Sequence, residues 1–197
     1  MTQSEPTPRI LALGGSTTPM AASERALRMA AQAASDAGAH VDFLTGRELI
    51  LPIYDTETAE RSPETREFVE ALRRADGIII ASPGYHGSFS GMIKNALDYA
   101  EDLRHDDRPY LDDRAVGLIS VAHGWQTAVG TLNQLRQVVH ALRGWPTPLG
   151  VAINDSAGLI GNGAATTDAA VVRQLHAMGE QVVAFATART AARQERP

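Results

Sequence analysis

The sequence predicts an α/β fold in which helices cover both faces of a parallel β-sheet. Short apolar runs alternate with segments of helical periodicity along the chain, which is the pattern of repeated strand–helix units. The run Gly77–Ala81 contains three consecutive isoleucines, as expected of a strand buried on both faces. A length of 197 residues predicts a single domain over 1–197, with loose ends at 1–8 and 190–197.

The first predicted strand, Arg9–Gly14, leads into a loop rich in hydroxyl groups. Ser16, Thr17, Thr18 and Ser23 all precede or begin the first predicted helix. A glycine turn that feeds a helix amino terminus presents free backbone N–H groups and the positive end of the helix dipole, which together favour phosphate. The alternative is that these hydroxyls serve only as turn and cap residues, with Ser23 as the cap.

Several well-known motifs are absent from the glycine-rich loops. The first loop is not a Walker loop because no Gly-Lys-Ser/Thr follows, and it is not a dinucleotide fingerprint because Gly-x-Gly-x-x-Gly is missing. A serine hydrolase is also excluded. Gly14–Thr18 lacks the second glycine of a nucleophile elbow, and Gly87–Gly91 has serine at the wrong position.

A short second strand and a long polar connection follow. His40–Thr45 alternates between polar and apolar residues, which predicts an edge strand. Residues 46–63 are polar and form a long connection. Ser62 followed by Pro63 marks the start of the second helix, since proline favours the first helical position.

The third unit is the one around which the chain is organised. After the strand Gly77–Ala81 comes a turn dense in proline, glycine and serine, and then a helix with an apolar stripe from Met92 to Ala100. The turn follows the carboxyl end of a strand, where open α/β folds bind their ligands. Gly84 and Gly87 would let the bare backbone approach a flat ligand.

The last units repeat the same arrangement. Ala115–Ala122 is the fourth predicted strand and ends in a third loop containing His123, Gly124 and Trp125. Trp125 either stacks on a bound ring or packs under the following helix, and the sequence leaves both open. A fifth strand is predicted around Pro148–Ile153, then a mobile flap over 154–167 and a final helix.

The composition excludes several classes of function. A net charge of −5 argues against nucleic acid and against anionic membrane surfaces. No apolar run is long enough to span a membrane, and the first residues lack the apolar core of a signal peptide, so we expect a cytoplasmic protein. The absence of cysteine excludes disulfides and thiolate chemistry. No metal site is expected, because His105-Asp106-Asp107 lacks ligand spacing.

Two motifs in the third unit resemble the signature of the NAD(P)H-dependent FMN reductases, a flavodoxin-like family. Pro83–Ser88 reads as P-x-Y-(N/H)-x-S and Ile93–Asp98 as (L/I)-K-N-A-(L/I)-D, in the order and separation of the family. The first loop resembles the family's phosphate loop G-S-x-R-x-x-S-x-(S/T), but Thr18 stands where many members have arginine. Arg25 is either a partial substitute or a solvent-facing helix residue.

The resemblance implies a flavodoxin-like three-layer sandwich with five parallel strands in the order 2-1-3-4-5. It implies FMN and NADPH or NADH as cofactors, no catalytic side chain, and a homodimer or homotetramer with the helix from Lys94 near the interface. The cofactor-binding residues that it implies are Ser16, Thr17, Thr18, Ser23, Pro83, Gly84, Tyr85, His86, Gly87, Ser88, His123, Gly124 and Trp125.

Three functions remain open at this point. The first is an FMN reductase that supplies free reduced FMN to a partner flavin-dependent monooxygenase. The second is an enzyme of the same fold that retains FMN and reduces quinones, azo dyes or metal oxyanions. The third is a flavodoxin-like electron carrier, which a net charge of only −5 disfavours because carriers dock through strongly acidic patches.

Overall fold

A computed structural model of the chain describes residues 7–58, 60–161 and 167–194. Within these ranges strands and helices alternate as predicted. The strands are β1 (Arg9–Gly14), β2 (His40–Leu44), β3 (Gly77–Tyr85), β4 (Ser88–Phe89), β5 (Ala115–Ala122), β6 (Trp145–Pro146) and β7 (Val151–Asn154). The α-helices are α1 (Ala22–Asp36), α2 (Pro63–Arg74), α3 (Gly91–Asp98), α4 (Trp125–Ala141) and α5 (Ala169–Gln194).

The sheet has the predicted parallel topology. Its order is β2-β1-β3-β5-β6, with β7 also paired to β5 and β4 paired antiparallel to β3. The predicted fourth strand is β5 and the predicted fifth strand, Pro148–Ile153, corresponds to β7, so the order 2-1-3-4-5 is confirmed. The short strand β6 lies before the predicted bounds, and Pro148 between β6 and β7 lacks the N–H that a continuous ladder needs.

Helices cover both faces of this sheet and form two separate cores. Alternate residues of β1 face opposite sides: Ile10 packs with α1 and α5, while Leu11 packs with α2, α3 and α4. Burial on both faces explains why β3 and β5 are almost entirely apolar. Because β1, β3 and β5 are parallel, the loops that follow them lie at one edge of the sheet, around the point between β1 and β3 where the strand order changes direction.

The end of α5 differs from the loose tail predicted at 190–197. The helix continues to Gln194, because two arginines of its last turns pair with aspartates near the amino end of the sheet. Arg193 bonds Asp113 at 2.9 Å and Asp76 at 2.7 Å, and Arg189 also bonds Asp113. Burial raises the pKa of Asp113, but the hydrogen bonds from these arginines outweigh it and the net pKa is lowered.

Part of three predicted segments lies outside the described residues. These are 1–6 of the predicted amino-terminal arm, 162–166 of the predicted flap and 195–197 at the carboxyl end. The residue just before β1 is described: Pro8 accepts a hydrogen bond from the backbone of His40 at 2.9 Å. Pro8, predicted as part of the loose arm, therefore already lies beside the edge strand.

Candidate functional site

A cleft of about 390 Å³ lies at the carboxyl edge of the sheet, where the loops after β1, β3 and β5 meet. It is the meeting point that the strand order predicts. The residues that line it are Ser16, Thr18, Ala21, Ala22, Ser23, Pro83, Gly84, Tyr85, Val121, Ala122 and His123. Seven of the predicted site residues are among them, namely Ser16, Thr18, Ser23, Pro83, Gly84, Tyr85 and His123.

The amino terminus of α1 faces this cleft without a side-chain cap. Its N-cap residue is Ala21, which has no acceptor to offer the first-turn N–H groups. By contrast, Ser62 caps α2 and Ser90 caps α3. An uncapped helix start beside hydroxyl groups is a site suited to an anion, because the exposed N–H groups and the dipole both favour negative charge.

The hydroxyl groups in this loop are arranged around the same end of α1. The Oγ of Ser16 accepts a hydrogen bond from the backbone N–H of Thr18 at 3.2 Å, so its own hydrogen is free to be donated to a ligand. Ser23 is 2% exposed and lines the cleft in the first turn of α1 rather than serving as the N-cap. Thr17 instead lines a groove on the other side of the loop, with Leu49 and Met92.

No lysine or arginine lines the cleft among the residues that the structure describes. Arg25, the sequence's candidate substitute for the family arginine, bonds backbone carbonyls instead. Its guanidinium donates to the carbonyl of Met20 and, at 3.1 Å, to that of Ile160. An anion here would therefore be held by N–H and O–H groups rather than by a formal positive charge.

The loop expected after the third strand is a β-hairpin. β3 continues past Ala81 to Tyr85, turns through His86 and Gly87, and returns as β4. Both turn residues have positive φ, 51° and 86°, as a two-residue hairpin turn requires. Pro83 is tolerated in the extension because the pairing of β3 with β1 ends at Ala81, so one edge of the strand is free there.

The turn of this hairpin is fastened to α4 by a residue that the sequence analysis missed. Gln134 accepts a hydrogen bond from the Ser88 hydroxyl at 2.6 Å and donates to the carbonyl of Gly87 at 2.7 Å. Ser88, Gly87 and His86 therefore lie beside α4 or at the hairpin tip, and none of them lines the cleft. Gln134 carries no sequence signal of this role, because its partners are 46 and 47 residues away.

Gly84 is required by packing against α4. A Cβ atom at this position would lie 2.7 Å from Cγ2 of Thr127 and 3.0 Å from Cβ of Ala122. The absence of a side chain lets β3 lie directly against the helix and leaves its backbone facing the cleft. The interpretation that this glycine brings bare backbone to a ligand is consistent with that geometry.

The third loop contributes His123, while its other two predicted residues lie at the margin. α4 begins at Trp125, and its N-cap residue Gly124 has no side chain that could cap the helix. The side chain of Trp125 is 58% exposed, so it does not pack under α4. Tyr85 is also 54% exposed. These two aromatic residues give the loops after β3 and β5 apolar surface that a flat ring could cover.

The family model described as NADPH-dependent FMN reductase matches residues 8–158, a range that includes all three loops of the cleft. The chain belongs to the NADPH-dependent FMN reductase family. The resemblance predicted from Pro83–Ser88 and Ile93–Asp98 is confirmed at this level, and so are FMN and NADPH as the cofactors of the family. Thr18 and the uncapped α1 are therefore features of an FMN reductase family member.

Individual proteins are also similar to this chain in sequence or in structure. The FMN-dependent NADPH-azoreductase of Staphylococcus haemolyticus is 36% identical over 91 residues, which are 46% of this chain and only 45% of that relative's length. The flavoenzyme NAD(P)H:(acceptor) oxidoreductase FerB of Paracoccus denitrificans superposes with a TM-score of 0.74 at 17% identity, covering 91% of this chain and 97% of FerB.

A WrbA-like flavodoxin from Agrobacterium tumefaciens superposes with a TM-score of 0.57 at 18% identity, covering 97% of this chain and all of that one. These superpositions confirm the predicted flavodoxin-like fold. Within the described residues, no helix has the length and apolar character to cross a membrane. The same residues contain no group of three or more His, Cys, Asp or Glu side chains that could hold a metal ion.

Proposed function

We propose that this member of the FMN reductase family binds FMN in the cleft and reduces it with NADPH. The observation that carries the proposal is the uncapped start of α1, which faces the cleft beside Ser16, Thr18 and Ser23. The phosphate of FMN would accept hydrogen bonds from the first-turn N–H groups and these hydroxyls. Its ring would lie toward Tyr85 and His123, at the other two loops.

The side chains of this site bind and orient rather than exchange protons. When bound, FMN supplies the ring that accepts a hydride from the nicotinamide and later gives up the electrons to an acceptor. The backbone of Gly84, which lines the cleft, would lie along one edge of the ring. Tyr85 and Trp125 would exclude water from the exposed face of the FMN ring. They would also help to hold the nicotinamide ring at a fixed distance from it.

We further propose that FMN exchanges during turnover, so that reduced FMN can reach a partner monooxygenase. The lack of a lysine or arginine among the described residues of the cleft supports this, because charge-assisted bonds to phosphate are about twice as strong as neutral ones. A second candidate is an FMN-retaining reductase of azo dyes or quinones. The azoreductase name of the Staphylococcus haemolyticus relative favours it.

Oxidation of NADPH by the purified full chain distinguishes these candidates. The flavin-free protein is mixed with NADPH and increasing FMN, and the nicotinamide absorbance is followed with and without an azo dye or quinone. A rate that saturates with FMN far above the enzyme concentration supports exchange. A rate that saturates at one FMN per chain and needs the dye supports retention, and no binding of FMN would refute both.

Replacing Thr18 with arginine should raise the affinity for FMN about tenfold, since a hydrogen bond to a charged partner is worth about 1.5–3 kcal/mol. Thr18 is exposed and lines the cleft, so a longer side chain there has room to reach the phosphate. The measurement is flavin fluorescence titration with FMN. Riboflavin, which lacks the phosphate, is the matched ligand. An equal gain for riboflavin would contradict the placement of the phosphate.

Replacing Gln134 with methionine should weaken FMN binding about fivefold to tenfold. The change removes both hydrogen bonds that fasten the hairpin turn, and each is worth about 0.5–1.5 kcal/mol. Gln137 to methionine is the control, because Gln137 is exposed on the same helix. Fluorescence titration of both variants with FMN gives the comparison. Equal affinity in the two variants would show that the hairpin does not support the site.

We propose that the protein is a homodimer, with a second copy covering an apolar groove beside the first loop. Ile50 and Ile53 are 55% and 82% exposed at this groove, and Met92 of α3 lies in it. Asn95 holds the loop in place by donating to the carbonyl of Pro52 at 2.8 Å. A fixed loop that presents large apolar side chains to water is characteristic of an interaction surface.

Ile53 to aspartate should convert the dimer to a monomer, because a charge buried in an interface without a partner costs several kcal/mol. Light scattering after gel filtration measures the mass of each species. Ile53 to valine keeps the apolar surface and should leave the dimer intact. A wild-type protein that elutes as a monomer would refute the proposed dimer.

A further inference from the structure

Met20, just before α1, has both of its backbone polar groups held by the first turn of that helix. Its N–H donates to the carboxylate of Glu24 at 2.9 Å, and its carbonyl accepts from the guanidinium of Arg25. Met20 has a φ of +52°, a left-handed conformation that is unfavourable for a residue with a side chain. Two consecutive side chains therefore stabilise a backbone conformation that methionine would otherwise avoid.

Glu24 stands at the third position of α1, where a capping box would place it. In that motif the glutamate bonds the N–H of the N-cap residue, while the N-cap side chain bonds the helix in return. Here the N–H of Ala21 bonds the carbonyl of Thr18 at 3.2 Å, and Glu24 reaches one residue further back to Met20. The returning bond is missing because Ala21 has no acceptor. The first-turn N–H groups of α1 therefore still have no side-chain acceptor.

The carboxylate of Glu24 is buried and forms an ion pair with Arg28. Glu24 is 6% exposed, and one of its oxygens accepts from Arg28 at 3.0 Å and 2.7 Å while the other accepts from Met20. A buried, fully bonded carboxylate has a fixed geometry, so the turn that it holds is fixed as well. Its pairing with Arg28 also reduces the repulsion that a lone carboxylate would exert on a bound anion.

We propose that Glu24 is a positioning residue for the phosphate of FMN. By holding Met20 in the left-handed conformation, Glu24 keeps the first-turn N–H groups of α1 open toward the cleft. The phosphate then supplies the half of the cap that Ala21 lacks. This inference rests on the proposed function, since it concerns the phosphate of FMN in the same cleft.

The first test removes the bond from Met20 to Glu24 and then restores the left-handed conformation at position 20 with glycine. Glu24 to alanine should raise the Kd for FMN about tenfold, as expected when a left-handed residue loses its support, and should leave the Kd for riboflavin unchanged. Adding Met20 to glycine should return the Kd for FMN to within about threefold of the wild type, because glycine adopts positive φ without help. Fluorescence titration of the wild type and both variants with both flavins gives the six constants.

The second test supplies the missing cap from the protein itself. Serine in place of Ala21 should bond the first-turn N–H groups and raise the melting temperature of the flavin-free protein by about 2–4 °C. The same serine should weaken FMN binding about fivefold, because it competes with the phosphate for those groups. A gain in stability together with a loss of FMN affinity is a combination that a merely structural role of this turn does not produce.

The outcomes separate the inference from the proposed function. If the wild-type protein binds no FMN, the proposed function fails and the inference fails with it. If the wild-type protein binds FMN but Glu24 to alanine weakens FMN and riboflavin equally, the proposed function stands and the inference is overturned. The inference is likewise overturned if Met20 to glycine fails to rescue the alanine variant while both variants melt as folded proteins.

Discussion

Arg114 to methionine is expected to lower the free energy of unfolding by about 3–5 kcal/mol, because the carbonyls of Tyr110 and Asp112 would lose this donor at a cost of about 1–3 kcal/mol each, while those of Arg73 and Ala75 would keep only Arg108. Arg114 is 1% exposed. Its guanidinium donates to the carbonyls of Arg73 and Ala75 at the end of α2, and to those of Tyr110 and Asp112 in the turn before β5.

Arg114 keeps its positive charge although burial disfavours the charged form. Burial, with a smaller contribution from the neighbouring Arg108, lowers the pKa of Arg114 to about 10, so the side chain remains protonated at neutral pH. The turn that it holds contains two non-glycine residues with positive φ, Tyr110 at 57° and Asp113 at 63°. Loss of Arg114 therefore releases a strained turn, while the end of α2 keeps its hydrogen bonds from Arg108.

Urea denaturation followed by far-ultraviolet circular dichroism measures this effect on the flavin-free protein. Arg173 to methionine is the matched control, since Arg173 is exposed on α5 and its loss should change stability by less than about 0.5 kcal/mol. Equal stability of the Arg114 and Arg173 variants would contradict this prediction. It would show that water can replace the guanidinium as the donor to these carbonyls.

Gly179 to alanine is expected to destabilise the protein by about 2 kcal/mol, although glycine to alanine inside a helix ordinarily stabilises by about 1 kcal/mol. Gly179 lies on the face of α5 that packs against α1. A Cβ atom there would lie 2.3 Å from the backbone oxygen of Ala30. Because the obstacle is backbone, only a separation of the two helices can relieve the contact.

Gly130 provides the control with the opposite sign. It lies inside α4, and the nearest atom to its added Cβ would be the carbonyl oxygen of Gly87 at 3.9 Å, an ordinary contact distance. Gly130 to alanine should therefore stabilise the protein by about 0.5–1 kcal/mol. Thermal unfolding of the two variants gives the comparison. A stabilised Gly179 variant would show that α5 does not pack as closely on α1 as described.

Much of the fold could be predicted because it depends on local pattern. Arg9–Gly14 and Ala115–Ala122 are strands with the predicted bounds, since an apolar run buried on both faces is unmistakable in sequence. The third strand was predicted too short, ending at Ala81 instead of Tyr85. Its extension has the composition of a turn, and only pairing with β4 and β5 makes it a strand.

The site was predicted as three loops, and the structure brings these loops to one cleft. Sequence could place Ser16, Gly84 and His123 after strands, but it could not say which way a side chain points. Ser88 faces Gln134 rather than the cleft because the two positive φ angles at the hairpin tip turn it toward α4. That direction depends on a helix whose position follows from packing.

The sequence by itself determined the layers of this protein, the meeting point of its loops and its family, because these follow from short-range periodicity and short motifs. Only the tertiary structure decided which groups hold those loops and ends in place. Arg193 bonds Asp76, which is 117 residues away in the chain, and Gln134 bonds Ser88, which is 46 residues away. Such hydrogen bonds depend on how distant elements are aligned, and no local pattern records that alignment.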